Sequence, residues 1–68
     1  MFNADALIAI RWAAGLTQAE LAERARIGQG HLSRIERGIN TPRPPTVRKL
    51  AQALNVPTDA LLTTEAAA

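Results

Sequence analysis

Apolar residues recur along the chain at three- and four-residue spacing, and turn-forming residues cut the pattern into five short segments. Leu7, Ile10 and Ala14 make the first stripe and predict a helix from Asp5 to Ala14, with Asn3 as N-cap and Gly15 as its left-handed stop. Thr17-Gln18-Ala19-Glu20 has capping-box spacing, flanked by Leu16 and Leu21 as a hydrophobic staple. Leu21, Ala22 and Ala25 then face inward on a second helix that ends near Ala25 or Arg26. The third helix spans Gln29 to Arg37, with Gly28 near its N-cap, Leu32 and Ile35 as its apolar pair and Gly38 as terminator. A polar loop from Ile39 to Pro44 follows, and Pro44 and Pro45 suit the first turn of a fourth helix, Pro45 to Leu54, where no amide partner is needed. Val47, Leu50, Ala51 and Leu54 face the core and Asn55 stops it. A short fifth helix from Pro57 or Thr58 to Leu62 closes the core with Leu61 and Leu62, and residues 63–68 have nothing to bury and are expected to fray. β-branched residues never alternate as strands require, so the expectation is an all-α, compact five-helix domain over 1–68.

The 68 residues suit one domain, and a chain this short buries only about 60% of its unfolded surface. There is no cysteine, which removes disulfides and thiolate metal sites and suits a reducing cytoplasm. No apolar run reaches the roughly 20 residues of a membrane span, and the N-terminus lacks the basic start and apolar core of a secretion signal. The expected location is the cytoplasm, on the nucleoid, with no membrane partner. Net charge is only +2, but its distribution is uneven. Arg24, Arg26, Arg34, Arg37, Arg43, Arg48 and Lys49 fall in one stretch whose only acid is Glu36, which suggests a face built for a polyanion.

Only Arg26 to Gly28 separate the second and third helices, which forces a sharp crossing of the kind found in a helix-turn-helix. The run Leu16-Thr17-Gln18-Ala19-Glu20-Leu21-Ala22-Glu23-Arg24, continued through Ile27 to Leu32-Ser33-Arg34-Ile35-Glu36-Arg37-Gly38, closely resembles the Cro and phage-repressor type of helix-turn-helix protein. Small bacterial regulators and restriction–modification controller proteins share the pattern. The resemblance continues through Pro42, Leu50-Ala51-Gln52-Ala53-Leu54 and Val56 to Leu61, covering about residues 7 to 62. It implies a lambda-repressor-like fold and a transcriptional regulator, a dimeric repressor that reads double-stranded DNA with helix 29–37 in the major groove.

At about 100° per residue, Leu32 and Ile35 mark the buried side of that helix. Gly30, Ser33, Arg34 and Arg37 then point away from it, with Gln29 at the edge of the same face. The resemblance assigns base reading to the positions of Gly28, Gln29, Gly30 and Arg34. Gln29 suits adenine and Arg34 suits guanine as bidentate partners, whereas Gly28 and Gly30 only permit close approach. Ser33 reaches a base or a phosphate. Gln18 matches the family's phosphate clamp at a helix start, and Arg37 and Arg43 suit phosphate contacts that fix register. For Arg24, Arg26, Arg48 and Lys49 solvated surface is the favoured reading. Arg11 and Glu36 match a salt bridge that links the first and third helices in several phage repressors and would support the recognition helix. The chain departs from the family at Arg26, where glycine is common, and at Gly28, where Ser or Thr is common.

Trp12 forms an apolar i, i+4 pair with Ile8 beside the core stripe. It either packs on the chain's own termini, around Phe2 or Leu61, or serves a subunit interface. The single histidine, His31, has no neighbouring acid by spacing, and no carboxylate pair, phosphate loop or metal-ligand cluster stands out, so no enzyme, cofactor, metal or small-molecule ligand is expected. The competing reading is a protein-binding adaptor or antitoxin-like module on the same fold. The basic, glutamine-bearing face of helix 29–37 favours DNA. One such domain reads few base pairs, so a homodimer on an inverted repeat is expected, with Ile39, Val47, Ala60 and Leu61 as candidate interface residues.

Overall fold

The computed structural model describes residues 1–63. Four α-helices follow one another: α1 (Ala4–Ala13), α2 (Gln18–Ala25), α3 (Gln29–Glu36) and α4 (Pro44–Leu54). The expected fifth helix is a single 3₁₀ turn, Thr58–Leu61. Pro57 precedes it and only four residues follow before the chain straightens, too few for a stable α-helical turn.

Local chemistry sets the helix starts. Asn3 Oδ1 accepts from the Ala6 amide at 3.0 Å. Thr17 and Glu20 form both halves of the capping box: the Glu20 amide donates to Thr17 Oγ1 at 3.0 Å, and the Thr17 amide donates to Glu20 Oε1 at 2.8 Å. Hydrogen bonds from the Thr17 backbone and side chain, with help from Arg24, hold the Glu20 carboxyl below its ordinary range. A lowered native pKa means that this stabilisation is complete above the usual glutamate range and is lost as pH falls through it. Thr17→Ala is expected to lower unfolding stability by about 1 kcal/mol at neutral pH, and the deficit in a urea titration should shrink as the pH is taken below 4.

All four helices end the same way. A residue with positive φ follows each one: Gly15 (74°), Arg26 (59°), Gly38 (79°) and Asn55 (58°). The next amide then bonds five residues back, from Leu16 to the Arg11 carbonyl, Ile27 to Ala22, Ile39 to Arg34 and Val56 to Ala51. This is the Schellman arrangement, which brings an apolar residue back over the end of its helix. Leu16, Ile27 and Val56 pack on the core as that motif requires, whereas Ile39 remains 61% exposed. Arg26 holds its left-handed conformation without the freedom of glycine.

Each element gives the core at least one fully buried aliphatic side chain: Leu7, Leu21, Leu32 and Ile35, Leu50, and Leu61. α3 packs against α1 and α2, and α4 packs against α2 and the 3₁₀ turn. The two ends of the described chain pair, with the Asn3 amide donating to the Leu61 carbonyl at 2.8 Å and an antiparallel bridge joining Phe2 to Leu62. Residues 64–68, most of the tail expected to fray, lie outside the described residues.

The packing corrects four expectations. Val47 (5% exposed) and Leu61 (0%) are core residues and have no surface to offer a second subunit. They lie on the inward stripes of α4 and the 3₁₀ turn. Ala14 is exposed, because α1 stops at Ala13 and the chain turns before Ala14 can face the core. α3 stops at Glu36, with Arg37 as its C-cap, and α4 begins one residue earlier than expected, at Pro44. Trp12 does not pack on the termini: it is 72% exposed.

Candidate nucleic-acid interface

Leu32, Ile35 and Glu36 fix α3 from its inner side. Their burial leaves Gln29, Gly30, Arg34 and Arg37 exposed on the outside, with Ser33 and His31 half-buried at its flanks. Gly28 is the exposed N-cap of α3 and supplies no side-chain hydrogen bond, so the first amides of the helix are free of a cap. A Cβ at Gly30 would lie 3.6 Å from Arg34 Nη1, an ordinary van der Waals contact, so the guanidinium lies back along the helix beside Gly30.

The aim of α3 is set from behind. Arg11 Nε donates to Glu36 Oε2 at 2.7 Å and Arg11 Nη2 to Glu36 Oε1 at 3.1 Å, a bidentate pair buried between α1 and α3. Arg11 Nη1 donates to the Leu16 carbonyl at 2.9 Å. Gln18 Nε2 adds a third hydrogen bond to Glu36, at 2.8 Å to Oε1. One carboxylate thus ties the end of α1, the start of α2 and the end of α3. No buried side-chain polar atom among the described residues lacks a partner. A buried ion pair contributes little net stability against an apolar substitute, but it specifies which surfaces meet. Here it specifies the angle at which α3 leaves the body.

The link from Gln18 to Glu36 could not be read from the chain, where they are 18 residues apart. It occupies one of the two N–H donors of the Gln18 side-chain amide and leaves the other on a half-buried side chain at the first turn of α2, oriented by that bond. Tertiary structure also divides the basic stretch. Arg43 and His31 line a groove of about 300 Å³ together with Ile39, Asn40, Thr41, Pro42 and Thr46. Arg24, Arg26 and Lys49 gather instead around a groove of about 360 Å³ between α2 and α4. Gln18 and Arg24 lie roughly 120° apart around α2. The seven cations therefore do not form one face, and those of α3 and its following loop are separate from those between α2 and α4. Among the described residues no group of three or more acids or histidines is placed to hold a metal ion, and no helix is long and apolar enough to cross a membrane.

Two short helices, α2 and α3, meet at a three-residue link, and a family model described as helix-turn-helix matches the chain over residues 7–61. The chain belongs to the helix-turn-helix family, of the Cro and phage-repressor type. This helix-turn-helix chain is 46% identical over 52 residues to the HTH-type transcriptional regulator ImmR of Bacillus subtilis (strain 168). That match takes in 76% of the chain but 41% of ImmR, so the chain spans about two fifths of that relative's length. Its fold is similar to that of the restriction–modification controller protein C.AhdI from Aeromonas hydrophila, with a TM-score of 0.85 and 29% identity over 87% of this chain and 89% of that one. It is also similar to the N-terminal DNA-binding domain of SinR from Bacillus subtilis, with a TM-score of 0.83 and 28% identity over 91% of each. In this helix-turn-helix protein α2 and α3 are the paired helices, and α3 occupies the recognition position.

Proposed function

We propose that the chain binds double-stranded DNA in a sequence-specific manner and regulates transcription by occupying an operator, as a cytoplasmic, nucleoid-associated protein without catalytic activity. The observation that carries this reading is the outer face of α3: Gln29 and Arg34 stand exposed on a helix whose angle is fixed by the buried Arg11–Glu36–Gln18 network. Gln29 and Arg34 read base edges, with Gly28, Gly30 and Ser33 allowing or adding close contacts. Gln18, Arg37 and Arg43 hold the phosphates.

The functional unit is a homodimer on an inverted repeat, with half-sites about 34 Å apart. Ile39 supports this. It occupies the one helix-stop position of four whose apolar residue is not packed inside its own chain. Half-buried Ala60 remains available as a second contact. Whether the dimer represses or activates follows from where the operator lies relative to the promoter.

Selection of bound sequences from a random duplex pool tests the reading. A symmetric consensus is expected to emerge. Arg34→Ala should relax the preference at one guanine by about 1–3 kcal/mol, whereas Gln18→Ala should weaken binding to all sequences alike. No enrichment, or a consensus that Arg34→Ala leaves unchanged, would refute base reading by α3.

A further inference from the structure

We propose that Trp12 is a DNA-backbone contact: its indole packs against a deoxyribose and its ring N–H donates to a phosphate outside the bases that α3 reads. The inference rests on the DNA-binding reading above and extends the interface to the end of α1.

Trp12 is 72% exposed, the largest apolar side chain left in water by a fold that buries aliphatic residues almost completely. Yet the ring is not unsupported. The Arg11 guanidinium carbon lies 5.7 Å from the ring centroid, within cation–π range. Three hydrogen bonds to Glu36 and the Leu16 carbonyl hold Arg11 in place. The indole therefore rests on a fixed cation and is presented outward.

It also forms one wall of an open groove of about 350 Å³, completed by Arg11, Gly15, Leu16, Thr17 and Gln18. Gln18 belongs both to this groove and to the network that aims α3, so the groove is continuous with the surface proposed to meet phosphates. No carboxylate among the described residues lines it. The nearest in sequence, Glu20, is turned back onto the Thr17 amide. What remains is apolar area edged by the indole N–H, which can only donate, and by the second N–H of the Gln18 amide. A sugar–phosphate strand has the complementary character, an apolar sugar edged by anionic oxygens.

A second copy of the chain fits less well. A stable protein interface buries about 800 Å² on each partner, several times what one indole supplies. The other large apolar residues left exposed among the described ones are Met1 and Ile39, neither of which lines this groove.

The chain has one tryptophan and no tyrosine, so its intrinsic fluorescence reports on Trp12 alone. The full chain is titrated with a fluorescein-labelled duplex while anisotropy of the label reads binding and acrylamide quenching reads access to Trp12. DNA is expected to shield Trp12 from acrylamide. Trp12→Phe, which keeps a ring over Arg11 but removes the donor, is expected to weaken every duplex alike by about tenfold, the size of a hydrogen bond to a charged partner. Binding of the labelled duplex with unchanged quenching, or with full affinity in Trp12→Phe, overturns the proposal and leaves the DNA-binding reading intact. Absence of any binding removes that reading itself. If Trp12→Ala dissociates a DNA-free dimer in sedimentation, the groove's occupant is a second copy and the proposal fails.

Discussion

Glu36→Ala is expected to cost about 3–5 kcal/mol of unfolding stability, because it leaves the Arg11 guanidinium buried without its counter-charge. A chain of 68 residues has roughly 3–10 kcal/mol in total, so the variant should be largely unfolded or only marginally folded at 37 °C. Three donors converge on this carboxylate, from Arg11 Nε, Arg11 Nη2 and Gln18 Nε2, and all three lose their acceptor together. The double variant Arg11→Met, Glu36→Leu should recover much of the loss, since apolar residues of similar size remove the charge as well as its partner. Urea unfolding followed by circular dichroism at 222 nm separates the cases. A Glu36→Ala midpoint close to the parent would show that solvent already screens the pair, contrary to its burial.

The second large effect is on affinity. Raising salt from about 50 to about 200 mM should weaken binding to any duplex about a thousandfold if a dimer neutralises about six phosphates, three cations from each protomer. Arg34, Arg37 and Arg43 are the three on the α3 side, and none is tied up in a salt bridge among the described residues. A protomer acting alone would lose only about fortyfold over the same range, since the slope follows the number of neutralised phosphates. The logarithmic salt slope, read from anisotropy titrations, therefore reports both the phosphate contacts and the stoichiometry. A flat response would contradict a phosphate-dominated interface altogether. Gln18 is neutral, so Gln18→Ala should lower affinity without changing the slope.

The sequence by itself determined the helices and their boundaries to within a residue or so, because those signals are local. A capping box operates within four residues, a proline forbids helix where it stands, and a glycine or asparagine stop acts on the turn it ends. The inward stripes of α2, α3 and α4 were legible for the same reason, and so was the outer face of α3, which is what remains once Leu32 and Ile35 are buried. The Arg11–Glu36 pairing came from family resemblance, as no spacing rule connects residues 25 apart. Tertiary structure alone left Ile39 and Trp12 outside the core, and it packed Val47 and Leu61, already legible as core-facing, too completely to serve a second subunit. It alone joined Gln18 to Glu36, paired Phe2 with Leu62, and split one basic stretch into separate surfaces. The physical reason is the same in each case: periodicity fixes the side of a helix a residue occupies, but only the neighbouring helices determine whether anything lies against that side.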